Sequence, residues 1–424
     1  MRRLLLAQTL FLVLPAFLWS LDFNDIYTFI GEPAENQTTN AGLSLFPTLL
    51  IPIGGEFEGM GQAYTAVARD VSFLEANPAA SSSLEFTEIT FVHNNWIADS
   101  TLDGVVYTQR AGEFGFGAGG KFLHLPFTEY DERSRQVAGG RYSEGTVGVN
   151  ASYNFFRSFY FPGVAIGATV KGAYRYVPPA IALNQSAVGV AADVGLLSRF
   201  NLFKFFASRT PNFAVGASAR NLGPPIDGVP LPTVVTAGIA YDPVRPLTIA
   251  TDVIIPFSLA PGVPAPPIGG AAGFSVQITR FFSLRSGLLL RWGGSRLSAG
   301  ATLALTDFSI DMNYNLDLGT QFAFMDRFSV QARLNFGDEG RETLQDRVDH
   351  LYLDAWRASA SGDTDRAIRL AREALDLDPA FTPASELLQL SLETEDLQRT
   401  LRQIDLESIG ERLEQEESID PAAE

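Results

Sequence analysis

The sequence of 424 residues contains no cysteine and only three histidines, which excludes several kinds of chemical site at the outset. Without cysteine the chain has no disulfide, thiolate metal site or cysteine nucleophile. The histidines, His93, His124 and His350, are scattered and lack the spacing of zinc ligands. No GxSxG motif or Ser/His/Asp set is apparent. The sequence therefore predicts neither an enzyme nor a bound cofactor or metal.

Charged residues are also scarce over most of the chain. Only 19% of the residues are charged and 46% are hydrophobic, a mixture too apolar for a disordered protein. Residues 337–424 hold 23 acidic and 9 basic residues, a net charge of −14, whereas the rest of the chain carries −3. No basic patch could offset phosphate charge, which argues against nucleic-acid binding. The acidic end indicates a separate C-terminal part.

Long apolar runs are missing beyond residue 20, where no uninterrupted stretch reaches the roughly 18 residues that a membrane-spanning helix needs. Residues 1–20 are typical of a signal peptide, because Arg2 and Arg3 precede the apolar run from Leu4 to Trp19. The alternative is a retained membrane anchor. An exported, apolar chain without spanning helices can still enter a membrane as a closed β-barrel, in which every backbone polar group finds a partner.

Apolar and polar residues alternate in many segments of about ten residues, as in strands that face lipid on one side and the lumen on the other. Residues 308–316 are the clearest case, with Phe308, Ile310, Met312, Tyr314 and Leu316 on one face. The alternation predicts an all-β transmembrane barrel of about fourteen antiparallel strands, near 85–96, 102–110, 113–124, 144–155, 163–175, 186–198, 212–220, 233–241, 246–256, 270–279, 282–292, 296–306, 307–317 and 326–336. A soluble β-sandwich or solenoid is the alternative, but no second layer is evident to cover the apolar faces.

The connections between these strands alternate in length, as expected for a barrel with long outer loops and short periplasmic turns. The predicted outer loops are 125–143, 176–185, 221–232 and 257–269, and the predicted inner turns are 111–112, 242–245, 280–281 and 306–307. Only the inner loop 199–211 breaks the trend. An even strand count also leaves the C-terminus in the periplasm.

Residues 59–79, GMGQAYTAVARDVSFLEANPA, resemble the N-terminal signature of the FadL-like outer-membrane proteins, including the PorV branch. The uncharacterised spirochaetal paralogues of that family are especially similar. The matching positions are Gly59, Gly61, Ala66, Val67, Ala68, Asp70, Asn77, Pro78 and Ala79, and the resemblance covers about residues 45–336. It implies a fourteen-stranded barrel with a plugged lumen. It also implies transport of hydrophobic substrates such as long-chain fatty acids, released sideways through a kinked strand 3.

This organisation divides the chain into a signal peptide (1–20), an N-terminal plug (21–84), a barrel (85–336) and an acidic periplasmic helical tail (337–424). Asn77, Pro78 and Ala79 form the plug motif. Proline disfavours helix at the preceding residue and asparagine tolerates turns, so the motif is expected to stop a helix. Its role is either a turn within the plug or a part of the gate.

Strand 3 is rich in glycine, and paired glycines favour a bend or bulge. The residues concerned are Gly115, Gly117, Gly119 and Gly120. One hypothesis makes this strand a lateral gate. The alternative is that small inward-facing residues make room for the plug.

The outer loops combine proline with large apolar residues. Stiff, apolar loops suit the capture of a lipid-like ligand, although they could equally fold over and cap the barrel. The candidate ligand-binding residues are Ile181, Leu183, Ile226, Leu231, Phe257, Leu259 and Ile268. A carboxylate ligand would need a cation in the lumen, and the inward positions offer Lys171, Arg175, Arg285, Arg291 and Arg333. Such cations are otherwise solvated or paired with neighbouring carboxylates.

After Phe336 the apolar period changes, and residues 348–379 resemble one tetratricopeptide repeat. Ala355, Gly362, Ala367, Ala374 and Pro379 occupy its small-residue and proline positions. A single repeat buries little core alone, so the tail is expected to pack on a periplasmic protein partner or on the base of the barrel. The alternative is a passive periplasmic tail. Two functions remain open. The first is an outer-membrane channel for hydrophobic molecules, which the resemblance implies to be fatty acids. The second is a PorV-like scaffold for exported proteins that acts through the tail.

Overall fold

The computed structural model describes residues 44–96, 100–179, 184–206, 210–291, 295–318 and 326–417. The predicted signal peptide and the candidate residues Ile181 and Leu183 lie outside them. The chain divides into two compact units, one within Met1–Phe155 and Gly163–Gly337, the other within Phe156–Pro162 and Asp338–Glu424. In the described part of the chain, no helix combines the length and the apolarity that crossing a membrane requires.

Fourteen antiparallel strands form a closed barrel, as predicted. Each strand pairs with its neighbours along the chain, and β1 closes the barrel on β14, with Glu88 opposite Asn335. The strands are β1 Glu88–Asn95, β2 Thr101–Ala111, β3 Phe114–Tyr130, β4 Gln136–Phe155, β5 Val164–Tyr176, β6 Ala187–Phe200, β7 Phe213–Leu222, β8 Thr233–Val244, β9 Leu247–Phe257, β10 Gly269–Gln277, β11 Phe282–Leu290, β12 Arg296–Ala304, β13 Phe308–Asp317 and β14 Arg327–Asn335.

The two faces of the wall differ as the alternation predicted. In β13, Asp311 and Asn313 point inward and are buried, whereas Met312 and Tyr314 point outward and are 44% and 49% exposed. Valines dominate much of the outer face, including Val147, Val170 and Val188. This apolar outer face matches the lipid-facing band of a membrane barrel.

The predicted outer loop 125–143 is wrong, because most of it is strand. β3 continues to Tyr130 and β4 begins at Gln136, and the turn between them is closed by Asp131, whose carboxylate accepts from the backbone N–H groups of Arg133 and Arg135. Most described side chains of this hairpin extension are exposed or half-exposed on both faces. Where neither face meets lipid or lumen, the apolar alternation that marks a strand is lost.

The N-terminal segment from residue 44 to 84 lies inside the barrel as a plug. It contains two 3₁₀ turns, Pro47–Leu50 and Pro78–Ser83, and two short helices, α1 (Gly55–Gly59) and α2 (Phe73–Ala76). Tyr64, Phe73 and Met60 are among its fully buried side chains, and they join wall residues in one apolar cluster. The predicted plug therefore supplies most of the core of this unit.

The second unit is helical. It consists of α3 (Arg341–Ala360), α4 (Thr364–Leu377) and α5 (Thr382–Glu417). Gly362 has a φ of +82° in the turn between α3 and α4, and Asp363 caps α4 by accepting from the N–H of Arg366. The segment Phe156–Pro162 clusters with these helices, and the ring of Phe159 meets that of Phe381 edge-on at 5.1 Å. These helices agree with the predicted helical C-terminal part. That α3 and α4 form a tetratricopeptide repeat stays a prediction.

Candidate functional site

The plug touches the wall where the wall has glycine. A Cβ atom on Gly287 would overlap the backbone of Met60 and Gly61, and one on Gly115 would overlap Ser81 and Ser82. Gly117 likewise leaves room for the ring of Phe73. The packing of Gly115 and Gly117 therefore agrees with the second explanation given for the strand-3 glycines, in which small inward-facing residues make room for the plug.

The plug motif is anchored at the barrel wall by its asparagine. The Asn77 amide donates to the carbonyl oxygens of Thr65 at 2.8 Å and Leu196 at 2.9 Å, and its oxygen accepts from the N–H of Ala79. Pro78 lies directly against Gly167 and Gly195. Asn77 thus ends α2, starts the following 3₁₀ turn and fixes both to β6. This geometry is that of a turn within the plug, and a part in gating stays a prediction.

A network of ion pairs joins the middle of the plug to β11 and continues within the wall to β13 and β14. Glu56 pairs with Arg69 at 2.7 Å, and Arg285 lies 3.8 Å from Glu56 and 2.5 Å from Asp311. Asp311 also pairs with Arg333 at 3.0 Å. Burial would raise the pKa of Glu56, but the charges of Arg69 and Arg285 lower it to about 2. The carboxylate is therefore ionised, and the predicted lumen cations Arg285 and Arg333 are occupied by protein carboxylates.

A second buried ion pair joins the plug to strand 3. The Lys121 ammonium group donates to the Glu75 carboxylate and to the Ile51 carbonyl oxygen. The same carboxylate accepts from the N–H of Ile53 at 2.9 Å. Nearby on β5, Lys171 pairs with Asp193 at 2.5 Å. The two lysines stand on the same side of the lumen.

A small internal cavity of about 20 Å³ lies between these lysines. Its remaining lining is mainly apolar or glycine. The lining residues are Leu49, Ile53, Leu74, Glu75, Val106, Gly119, Gly120, Lys121, Thr146, Val147, Gly148 and Lys171. The cavity holds at most one water molecule, so the plugged lumen has no room for a ligand here until side chains move.

A larger groove, of about 910 Å³, runs along the outer face of β2 to β6. Small residues form its floor, where Ala118, Gly120, Gly145 and Gly172 face outward on adjacent strands. Larger apolar side chains border it: Val105, Tyr107, Phe122, Val147, Tyr174 and Val188. The groove therefore offers the bilayer a concave, apolar surface.

The inner cavity and the outer groove lie back to back. Both are lined by Gly119, Gly120, Lys121, Thr146 and Val147. Unlike Gly115 and Gly117, Gly119 and Gly120 would place a Cβ against the neighbouring strands, at Val105 and Val106 and at Thr146. At Gly119 and Gly120 of strand 3, the wall between the cavity and the groove therefore consists of little more than backbone. We call this place the thin wall.

The other predicted lumen cations lie away from this cavity. Arg175 donates to the carbonyl oxygen of Gln185 at 3.2 Å, and Arg291 is half-buried just after β11. Neither arginine lines the cavity that Glu75 and Lys121 line.

The candidate loop residues separate into two groups. Leu231 is 3% exposed and packs with Ile226 against Leu45, Phe46 and Leu49, so these two residues cap the plug rather than face a ligand in water. Phe257, Leu259 and Ile268 are 55%, 39% and 68% exposed. Only the second group has the exposure that a landing surface needs.

Sequence reasoning missed Glu75 and Lys121, which form a buried ion pair between plug and wall, and it considered Asp252 only as a partner for an inward cation. Asp252 accepts from the backbone N–H groups of Tyr64 and Thr65 at 3.1 and 2.9 Å. Alternation could have found Lys121, since it shares an inward face with Gly115, Gly117 and Gly119. No periodic signal marks Glu75. In the described ranges, no three histidine, aspartate or glutamate side chains could together hold a metal ion.

Comparison with known proteins gives one family and several barrels. Residues 30–339 match the uncharacterised protein family UPF0164. A UPF0164 protein of Treponema pallidum (strain Nichols) is 29% identical over 364 residues, which is 81% of this chain and 82% of the relative. Another from the same organism is 34% identical over 177 residues, 41% of this chain and 51% of that protein.

Among solved structures, the Ralstonia pickettii toluene transporter TbuX is similar with a TM-score of 0.46 and 14% identity, covering 68% of this chain and 100% of that one. A deltaS2 mutant of the TodX monoaromatic hydrocarbon channel has the same TM-score and identity, covering 67% and 98%.

Proposed function

The chain belongs to the uncharacterised protein family UPF0164, and we propose that it is an outer-membrane channel that takes up hydrophobic small molecules and releases them sideways through strand 3. The closed barrel with its apolar outer face supports the location. The strands end in the long connections 177–186, 223–232 and 258–268 on one side, which we assign to the outside. The helical tail would then lie in the periplasm.

The observation that carries this proposal is the shared wall of the inner cavity and the outer groove. A hydrophobic molecule that leaves a plugged lumen must avoid both the plug and the water beyond it. At Gly119 and Gly120 it has to displace only one strand to pass from the cavity to an apolar groove in the bilayer. Glycine lowers the cost of bending that strand, because it adds no side-chain packing.

We further propose that the ligand carries a carboxylate, as a fatty acid does. Lys121 and Lys171 line the cavity, and each is neutralised by a protein carboxylate. A ligand carboxylate could replace Glu75 at Lys121 if the displaced Glu75 carboxylate moved into water, because a lone buried charge is costly. The exchange would also release a plug contact next to the thin wall. Phe257, Leu259 and Ile268 are the candidates for first contact outside.

The function is tested by locking the wall. The double variant Ala118→Cys, Val149→Cys places cysteines on opposite positions of β3 and β4, both facing outward, within the usual range for a disulfide. The chain has no other cysteine. We expect oxidation to reduce fatty-acid uptake by proteoliposomes or by a complemented deletion strain to the background level, and reduction to restore it, because the strands can no longer part.

The matched control is Ala272→Cys, Leu288→Cys, an opposite pair of β10 and β11 on the far wall. Its oxidation should leave uptake unchanged. Uptake that survives the β3–β4 disulfide would refute the sideways exit and leave a channel. Absence of uptake by the unmodified protein, with decanoate and decanol alike, would refute the channel itself.

Neutralising both members of the Lys121–Glu75 ion pair tests whether the ligand carries a charge. In Lys121→Gln, Glu75→Gln both charges disappear together, so no lone charge remains buried. A carboxylate that uses Lys121 should lose a charge-assisted hydrogen bond of ~1.5–3 kcal/mol, equivalent to about tenfold or more in apparent KM. We expect this loss for decanoate uptake and little change for decanol.

Lys204→Gln serves as the control, since Lys204 lies in the exposed loop after β6. If the double variant reduced the uptake of decanoate and of decanol equally, the Lys121–Glu75 ion pair would only support the plug.

A further inference from the structure

Three arginines gather at the end of the barrel that we assign to the outside. Arg291 follows β11, Arg296 begins β12 and Arg327 begins β14, and the alternation of their strands turns all three toward the lumen. Arg296 and Arg327 are 7% and 5% exposed, and Arg291 is half-buried. Each of these charges lies within electrostatic range of the other two. We call the three residues the arginine cluster.

The ring of Trp96, just after β1, lies against two of the three guanidinium groups. Its centroid is 3.4 Å from Cζ of Arg327 and 5.6 Å from Cζ of Arg296. Contact with an aromatic face fixes a guanidinium group and leaves the N–H donors at its edge available. In the part of the chain that the structure describes, Nε and Nη1 of Arg327 and Nε of Arg296 are buried without a hydrogen-bond partner. Buried donors of this kind require an acceptor.

The arginine cluster has more positive charge than the nearby protein carboxylates offset. Two carboxylates lie within electrostatic range, Asp317 at the end of β13 and Glu58 of the plug. Glu58 already accepts from the Ser329 hydroxyl group at 2.5 Å. Among the described residues, none of the three guanidinium groups forms an ion pair with a carboxylate. Because an uncompensated buried charge is costly, an anion that enters from the outer end would be stabilised here.

We propose that the arginine cluster binds the phosphate group of a ligand from the external medium. A phosphate monoester carries about 1.5 to 2 negative charges near pH 7 and presents three acceptor oxygens. Their tetrahedral arrangement suits guanidinium groups that converge from three strands, whereas the two oxygens of a carboxylate lie in one plane. The planar fork of arginine also matches phosphate oxygens two at a time. The source is either free phosphate or the head group of an amphiphile. This inference goes beyond the carboxylate ligand proposed above and does not depend on exit through strand 3.

Titration calorimetry of the purified full-length protein in an uncharged detergent tests the site without any transport measurement. The probes are decyl phosphate and inorganic phosphate at low ionic strength, with titration into detergent alone as the blank. We expect saturable binding of decyl phosphate at one site per chain. Competition by inorganic phosphate would identify free phosphate as a sufficient ligand, and a lack of competition would assign the site to the head group of an amphiphile.

The double variant Arg296→Gln, Arg327→Gln removes two of the three guanidinium groups. We expect Kd for decyl phosphate to rise at least about 100-fold, since each lost charge-assisted hydrogen bond changes Kd by about tenfold or more. The matched control is Arg133→Gln, Arg280→Gln, which removes the same number of charges from exposed turns and should leave Kd unchanged. Should the first variant fail to fold, Arg296→Lys, Arg327→Lys keeps both charges, loses the forked donors and should bind at least about tenfold more weakly.

Three results overturn the proposal. The first is that the unmodified protein shows no saturable binding of either phosphate probe. The second is that the control variant loses as much affinity as the arginine-cluster variant, which would reduce the effect to overall charge. The third is that decanoate binds as tightly as decyl phosphate, which would make the cluster a site for carboxylates. None of these results bears on the uptake experiments, so a failure here is distinguishable from a failure of the proposed channel.

Discussion

Replacing Gly287 by alanine will open the barrel to small polar solutes. The added Cβ points into the lumen and overlaps the backbone of Met60 and Gly61, and backbone cannot swing aside as a side chain can. Overpacking of this kind costs ~1–3 kcal/mol, and each 1.4 kcal/mol changes an equilibrium tenfold. We expect solute permeability of proteoliposomes to rise about 10- to 100-fold as the plug leaves its seat, and Gly287→Val to exceed the alanine variant.

The control for this prediction is Gly270→Ala. Gly270 is in the neighbouring strand β10 but faces outward, and its added Cβ would meet only the Asp252 carbonyl oxygen at 3.7 Å. It should fold and remain as impermeable as the unmodified protein. If Gly287→Ala is equally tight, the plug is not seated on β11 as described. A barrel of fourteen strands is too wide for its wall side chains to fill, which is why loss of the plug must produce a pore.

The strands were predictable from sequence because lipid and lumen impose a strict period of two. Twelve of the fourteen predicted ranges lie close to the strands observed, and the principal errors are the outer end of β4 and the matching end of β3. There both faces of the hairpin are exposed, so the two faces do not require different residue types and the sequence shows no alternation. The periodicity therefore predicts the part of a strand that lies in the wall and not its extension.

The site was less predictable than the wall. Parity placed Lys171, Arg285 and Arg333 inward correctly, but whether an inward cation is free or paired depends on residues distant in sequence. Arg285 meets Asp311 on another strand and Glu56 on the plug. The plug has no period of its own, so its contacts with the wall, such as that of Glu75 with Lys121, could not be read from spacing.

The strand-3 glycines show how one motif can contain two roles. Parity puts Gly115, Gly117 and Gly119 inward and Gly120 outward, and this much follows from the sequence. The position of the plug distinguishes Gly115 and Gly117, which contact the plug, from Gly119 and Gly120, which leave the wall thin. This distinction does not follow from the sequence. A glycine run in a barrel strand is therefore not by itself a gate.

Replacing Asp311 by asparagine will destabilise the barrel more than any single change at an exposed ion pair. The side chains of Asp311 and Arg285 are both 0% exposed, and Asp311 also neutralises Arg333. Removing one partner of a buried ion pair leaves an uncompensated charge and typically costs ~3–5 kcal/mol. We expect a loss of that size in the free energy of unfolding in urea, measured on the protein in lipid vesicles.

The compensated variant Asp311→Asn, Arg285→Gln should recover much of this loss, because one unpaired cation disappears with the carboxylate and Arg333 retains Glu56 and Asp70 within electrostatic range. Glu395→Gln is the exposed comparison: it breaks the pair with Arg399 on α5, and a surface pair of this kind contributes only ~0–1 kcal/mol. A loss below about 1 kcal/mol for Asp311→Asn would mean that water reaches the network. The ion pairs would then hold the plug in place without carrying the stability of the barrel.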